Sequence, residues 1–362
     1  MTGRPILVMA GGTGGHVYPA LAVAQALEAK AQDVVWLGTH RGLESKVVPA
    51  AGFDIEWIDV KGLRRKGITA LLVAPFQLGW ALFQALGIIL RRRPAAVLGM
   101  GGFVSGPGGL AAWLTRRPLV IHEQNAAAGL TNRLLARLAR VVLQAFPGSF
   151  NSRVNAETVG NPVREDIAAV AAPAERYNSR QGPLRLLVLG GSQGALALNE
   201  TVPEAVAMLP PSLRPEVRHQ CGSRTLETAR AAYAQHDIAV DLVPFIDDMA
   251  AAYAWADLVV CRAGALTVAE LCAVGLPALF VPYPAAVDDH QTANARPMAD
   301  AGAAVIIDQS MLSAEVLADQ LREWLSSRRD LLARAEQAHR LDKPHALSRI
   351  TELCLEQAGV AT

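Results

Sequence analysis

The sequence predicts a doubly wound α/β protein built in two halves, and three observations predict it. Short apolar runs rich in β-branched residues alternate with helix-length segments, the pattern of buried parallel strands joined by crossover helices. Two βα turns of one design, Gly11-Gly12-Thr13-Gly14-Gly15 and Gly190-Gly191-Ser192-Gln193-Gly194, each open such an alternating run. The chain has 362 residues, the length of two ordinary domains rather than one.

Composition narrows the class. With 51% hydrophobic and 19% charged residues the chain can fill large cores, and it also warns of an apolar surface. A net charge of +1 gives no global basic field for nucleic acid. The cysteines, Cys221, Cys261, Cys272 and Cys354, form no C-x-x-C pair, which fits a reduced cytosolic protein. The first residues lead directly into a strand, so no signal peptide is expected.

In the first half, strand Ile6–Ala10 feeds the first glycine turn, a helix from about Pro19 to Lys30 follows, and Val34–Gly38 is the next strand. Val17 stands where a dinucleotide fingerprint needs its last glycine, and there is no G-K-[ST] P-loop. Tight packing alone explains glycines, but it does not call for Thr13 or His16. A lone histidine is more often structural, yet an imidazole titrates near neutral pH and suits acid–base work. Strand Ala96–Met100 then runs into Gly101-Gly102-Phe103-Val104-Ser105 and further glycines up to Gly109, a second anion-binding candidate on the same sheet edge. Strand Leu119–Ile121 ends in His122-Glu123-Gln124-Asn125, four polar side chains at the carboxyl end of a parallel strand, where such sheets bind ligands.

Between these lies an unusual segment. Basic Lys61–Gly67, with Arg64, Arg65 and Lys66, precedes an uncharged apolar run from Leu71 to Leu90, and Arg91-Arg92-Arg93 follows. The run is long enough to span a bilayer. Pro75, Gln77 and Gln84 interrupt it, both flanks are basic, and crossing would separate strands of one sheet. On a helical wheel Phe76, Trp80, Phe83 and Gly87 share one face, while Leu78, Leu82, Ala85 and Ile89 lie opposite. An aromatic face ringed by cations suits the interface of an anionic membrane. A helix covered on both sides by the fold or by a partner is the competing reading.

Gly160-Asn161-Pro162 breaks regular structure and marks the join, with the loose stretch Ala171–Pro183 after it. In the second half Leu258-Val259-Val260-Cys261 reads as a buried strand, Gly264 permits a sharp turn, Val268–Val274 reads as a helix and Gly275 stops it. Gly264 to Thr267 therefore lies at a helix N-terminus, where backbone N–H groups and the positive dipole end attract an anion. Glu270 stands about one turn on, where a carboxylate can accept hydrogen bonds from two vicinal hydroxyls. Phosphates first and a diol one turn later describe a nucleotide. An ordinary strand–turn–helix with a surface glutamate is the alternative.

Taken in order, Gly11–His16, Gly101–Gly109, His122–Asn125, Gly160–Arg164, Gly190–Gly194, Phe245–Met249 and Cys261–Glu270 resemble the GT-B glycosyltransferases over most of the chain. Within them the match is to the family that adds N-acetylglucosamine to undecaprenyl-diphosphate-linked N-acetylmuramoyl-pentapeptide in peptidoglycan synthesis. The resemblance implies two Rossmann-like doubly wound domains facing each other across a cleft. Residues 1–161 would serve acceptor and membrane, residues 162–340 the UDP-sugar, and a C-terminal helix within 341–362 would pack back on the first domain.

Residue by residue, it implies that Ile246 meets the uracil edge through its backbone and Glu270 takes the ribose hydroxyls. Ser192, Arg164 and the turn Ala265-Leu266-Thr267, continued by Val268 and Ala269, would hold the diphosphate. Thr13, Gly14, Gly15, Asn125 and Gln291 would complete the sugar site. The family commonly has Gln-Gln near the sugar where this chain has His290-Gln291, so only Gln291 carries over. Gly101, Gly102 and Ser105 would meet the acceptor diphosphate, and Phe76, Trp80, Phe83, Arg64, Arg65, Lys66 and Arg91 the membrane.

The implied reaction is inverting hexosyl transfer without a cofactor, consistent with the lack of a metal-binding D-x-D pair. The expected base is His16, with Glu123 as rival. Implied partners are UDP-N-acetylglucosamine, the undecaprenyl-linked acceptor, an anionic membrane surface at the cytoplasmic face of the inner membrane, and other cell-wall synthesis and division proteins, but no nucleic acid. Competing classes are a UDP-sugar 2-epimerase, a transferase to a diacylglycerol lipid, and a membrane-bound scaffold that senses UDP-sugar without turnover.

Overall fold

The computed structural model describes residues 3–60, 68–191, 194–284 and 289–360, with the side chains of 68–73 outside that description. The chain divides into two compact units, residues 1–163 with 343–362, and residues 164–342.

The first unit is built on seven strands: β1 (Ile6–Met9), β2 (Val34–Gly38), β3 (Asp54–Trp57), β4 (Ala96–Gly99), β5 (Leu119–Glu123), β6 (Val141–Gln144) and β7 (Ala156–Thr158). Their spatial order is β3-β2-β1-β4-β5-β6-β7, and every pairing is parallel. Alternate residues serve opposite faces, as the period of a strand demands. Ile6, Val8, Leu98 and Val120 pack under helix Gly14–Ala29 and helix Ala346–Ala358. Leu7, Met9, Val97 and Ile121 pack under helices Ile68–Arg92 and Ser105–Leu114. Both faces are covered, which is why these strands read as continuous apolar runs.

The second unit repeats the plan with β8 (Arg185–Leu189), β9 (Glu216–Gln220), β10 (Asp241–Val243), β11 (Leu258–Cys261), β12 (Ala278–Phe280) and β13 (Ala304–Ile306), ordered β10-β9-β8-β11-β12-β13 and all parallel. Helices Leu196–Ala207, Ala314–Leu325 and Arg328–His339 cover one of its faces. In each sheet the strand order reverses once, between β1 and β4 and between β8 and β11. Connections leave in opposite directions at such a point and open a crevice beyond the carboxyl ends of the strands, where open α/β sheets bind ligands. The glycine turns follow β1, β4 and β8, and the turn at Gly264 follows β11.

Two helices begin earlier than the sequence suggests. The first runs from Gly14, not Pro19, because Thr13 takes the N-cap with extended backbone and Pro19 is tolerated inside. The helix expected from Val268 runs from Ala265. Helix Ile68–Arg92 is continuous through Pro75. Its buried stripe is Ala74, Ala81, Ala85, Ile88 and Ile89, and each isoleucine so covered stabilises the unit by about 1.5–3 kcal/mol. Leu78, opposite the aromatic face, is exposed; the residues of this helix that join the sheet-face core are Ala85, Ile88 and Ile89, with Leu82 and Leu86 partly buried against it. Among the described residues no helix is long and apolar enough to cross a membrane. The cysteines are all free and buried.

Candidate functional site

In the first unit, the early helix start places His16 in the first turn, beside the end of β5. Its Nδ1 lies 3.0 Å from Oε1 of Gln124. Gly101 and Gly102 adopt φ of +97° and +81°, backbone that favours glycine. A Cβ on Gly101 would also stand 2.6 Å from His16 Nδ1, and one on Gly102 would stand 2.3 Å from the Gly11 carbonyl oxygen. The two glycine turns therefore touch, and His16 sits where they meet. Thr13 is exposed, and its hydroxyl does not cap the helix.

Several polar residues nearby serve the scaffold. The fully buried Glu44 accepts from the Gly12 N–H at 2.9 Å, the Thr39 N–H at 3.0 Å and the Thr39 hydroxyl at 2.8 Å, and so fixes the first turn. Sequence reasoning missed Glu44, since a glutamate at a helix start looks like any solvated charge. Glu123, the rival base, is buried, and its carboxylate accepts from Asn125 N (3.0 Å), Asn125 Nδ2 (3.2 Å), Gly129 N (3.1 Å) and Asn132 Nδ2 (2.9 Å). With its oxygens so occupied it shapes the loop after β5 and is ill placed to take a proton from a ligand. Ser105, expected at the acceptor, is fully buried and donates its hydroxyl to the Gly101 carbonyl at 2.8 Å. It braces the second glycine turn instead.

In the second unit, helix Ala265–Val274 starts from Gly264 with no side-chain cap and no acidic residue in its first turn. The first intrahelical bond is Val268 N–H to Gly264 O at 2.9 Å, so the amides of Leu266 and Thr267 point out of the helix end and that of Val268 does not. Glu270 is buried, with Oε2 accepting from the Tyr253 hydroxyl at 2.8 Å. Burial raises its carboxyl to about 7, against the lowering effects of the Tyr253 hydrogen bond and of Arg164. Arg164 is thus electrostatically coupled to Glu270; it sits at the N-cap of helix Glu165–Ala168 beside Asp166, at 3.8 Å. Gln291 accepts from the Tyr283 N–H at 2.8 Å. Ile246 is half-buried in the loop after β10, and Asp248 caps the next helix by accepting from Ala251 N at 2.8 Å.

Three bracing residues here gave no sequence signal. Gln220 accepts from the Gly191 N–H at 2.9 Å and donates to the Gly191 and Pro244 carbonyls at 2.9 and 3.1 Å. Asn294, fully buried, donates to Ala263 O at 3.2 Å beneath the Gly264 turn. Arg262 spans from the Val281 and Pro282 carbonyls to Gln309 Oε1.

On helix Ile68–Arg92, Phe76, Trp80 and Phe83 are 80%, 55% and 66% exposed, and Trp80 and Phe83 stack at 5.6 Å. Arg91 is paired with Glu56 at 2.5 Å, and Arg92 with the same carboxylate at 2.6 Å, so that part of the expected cationic rim is compensated. Arg64, Arg65, Lys66 and Ser192 lie outside the described residues.

Known proteins match both units. The model of the glycosyltransferase family 28 N-terminal domain matches residues 6–144, and that of the C-terminal domain residues 185–350. A protein of Alkalilimnicola ehrlichii named UDP-N-acetylglucosamine–N-acetylmuramyl-(pentapeptide) pyrophosphoryl-undecaprenol N-acetylglucosamine transferase is 60% identical, covering 98% of this chain and 99% of the relative. One of the same name from Nitrosococcus oceani is 57% identical with the same coverage. The crystal structure of Acinetobacter baumannii MurG superposes with a TM-score of 0.85 at 42% identity, over 98% of this chain and 99% of that one. Each unit is thus a parallel-sheet α/β domain of the GT-B kind, and the chain belongs to glycosyltransferase family 28.

Proposed function

We propose that the protein transfers N-acetylglucosamine from UDP-N-acetylglucosamine to the undecaprenyl-diphosphate-linked N-acetylmuramoyl-pentapeptide of peptidoglycan synthesis, with inversion at the anomeric carbon. The observation that carries this is helix Ala265–Val274: an uncapped, uncharged N-terminus for a diphosphate, with the buried carboxylate of Glu270 further along for a ribose diol. That arrangement stands in a chain 60% identical to an enzyme with this name.

In this reading the acceptor hydroxyl attacks the anomeric carbon in line while UDP departs from the other side. Negative charge grows on the leaving diphosphate. The amides of Leu266 and Thr267 are fixed donors for it that need little reorganisation as the charge develops, and the Arg164 guanidinium adds a cation. His16 removes the proton of the attacking hydroxyl. Glu123, ringed by four donors, does not compete for that role. The exposed aromatic face at Phe76, Trp80 and Phe83 rests on the membrane that carries the acceptor.

The test is incubation of purified protein with labelled UDP-N-acetylglucosamine and a lipid-linked muramoyl-pentapeptide. Formation of the β-linked disaccharide lipid is expected. Release of a free epimer would select an epimerase instead, and binding without turnover a sensor.

A further inference from the structure

The hydrogen bonds around His16 carry a direction that can be read from their chemistry. Gln124 is buried at the end of β5, and its Nε2 lies 2.9 Å from the Met100 carbonyl and 3.2 Å from His122 Nδ1. A carbonyl only accepts, so the amide nitrogen must face Met100 and the amide oxygen must face His16. The opposite rotamer would set two acceptor oxygens against each other inside the unit. At the far end, His122 Nε2 lies 2.9 Å from the Gly160 carbonyl, again an acceptor only. His122 therefore carries its proton on Nε2 and receives the second Gln124 N–H on Nδ1. Burial lowers the His122 imidazole to about 4, partly offset by its hydrogen bond to Gly160, so the ring is neutral at physiological pH.

Every link thus points one way: the Gly160 carbonyl, His122, the Gln124 amide, His16. The anchor is itself constrained. Gly160 has φ +91°, and a Cβ there would stand 2.4 Å from Lys343 Cβ, so the peptide that aims this carbonyl needs glycine. Asn161 adds a hydrogen bond from Nδ2 to the Gln124 carbonyl at 3.0 Å.

We propose that Gln124 and His122 are positioning residues that hold neutral His16 in its Nδ1–H tautomer, so that Nε2 presents the lone pair that takes the acceptor proton. The inference rests on the reading of His16 as the base. An imidazole left to itself favours the other tautomer, in which the lone pair would face Gln124 and Nε2 would carry a proton.

The test uses the full chain with ¹⁵N-labelled histidine. Two-bond ¹⁵N–¹H correlations above the imidazole titration range should show Nδ1–H for His16 and Nε2–H for His122. In Gln124→Met the His16 pattern should move toward Nε2–H. With it, kcat should fall roughly 10–10²-fold, part of the 10²–10⁴ that a positioned base contributes, while the Kd for UDP-N-acetylglucosamine stays unchanged. Gln124→Glu keeps an acceptor toward His16, so it should keep the Nδ1–H tautomer. Its other carboxyl oxygen faces the Met100 carbonyl and must carry a proton there, so the variant stays uncharged and should retain most of kcat. An unmoved tautomer in Gln124→Met overturns the inference alone. Full kcat in His16→Ala overturns the base reading and the inference with it. Should Gln124→Met not fold, a His16 that moves to Nε2–H in Gln124→Glu while kcat stays unchanged is decisive against the proposal.

Discussion

If Glu270 holds the ribose diol as proposed, it is a single residue set against stability for the sake of a ligand. Its carboxyl is raised to about 7 because burial penalises the charged form. A carboxyl held above its unfolded value binds protons more tightly in the fold. Stability from this residue is therefore fully present below about pH 4.5 and is lost as pH rises to about 7. Donor binding through Glu270 would have the opposite sign, since ribose hydroxyls donate most strongly to the ionised form. Affinity for UDP-N-acetylglucosamine, whose diphosphate does not titrate in this range, is expected to rise between pH 6 and pH 8 with proton release on binding. Titration calorimetry in buffers of different ionisation enthalpy measures that release. Glu270→Gln should abolish the pH dependence and weaken the donor by roughly 10-fold or more, the loss of a charge-assisted pair of hydrogen bonds. At pH 8 the same variant should gain stability on the order of 1–3 kcal/mol by thermal unfolding, because no buried charge remains. A variant that binds weakly without that gain would mean that Glu270 is solvated in the fold.

At the scale of elements, glycine turns and the side chains beneath them act together. Gln220, at the end of β9, ties the Gly191 turn after β8 to Pro244, one residue before the Phe245–Ile246 loop. Gln220→Leu removes the side-chain partner of three backbone groups on the exposed residues Gly191 and Pro244, at a net cost of about 0.5–1.5 kcal/mol each. The expected outcome is a lower Tm together with a donor Kd raised by roughly 10-fold, with kcat at saturation little changed; an unaltered Kd would separate the two loops functionally. This residue also shows what could be read in advance. The strands and the glycine turns were legible, because burial on both faces writes continuous apolar runs and a tight turn writes glycine. Gln220, Asn294 and Glu44 were not, because a polar side chain bound to a distant main chain looks like any surface polar residue. Their partners lie 29, 31 and 32 positions away. The helix starts at Gly14 and Ala265 were missed for a related reason. Pro19 reads as a first-turn marker, and an uncapped start offers no Ser or Asp to announce it.

For the molecule as a whole, charge and surface point in different directions. The chain is nearly neutral at +1, which gives no long-range field toward an anionic membrane, so the proposed attachment would be local. Exposed Phe76, Trp80 and Phe83 offer an apolar ridge, while the nearby Arg91 and Arg92 are already paired with Glu56. Burying large apolar side chains yields about 1.5–3 kcal/mol each, whereas an exposed pair in salt contributes about 0–1 kcal/mol. If the ridge is the membrane contact, insertion outweighs charge. Partitioning to vesicles with anionic lipid should then fall by only a few-fold between 0.05 and 0.5 M salt, as an order-of-magnitude expectation for weakly charged contacts. It should fall by roughly 10²-fold in the double variant Trp80→Ala/Phe83→Ala. Turnover of a water-soluble acceptor analogue should not change in that variant, since neither side chain belongs to the His16 or Glu270 sites. Co-sedimentation against salt, run beside the soluble assay, decides the matter. Collapse of binding in salt with the aromatic variant intact would assign the attachment to cations, and loss of soluble turnover would show that the ridge supports the fold.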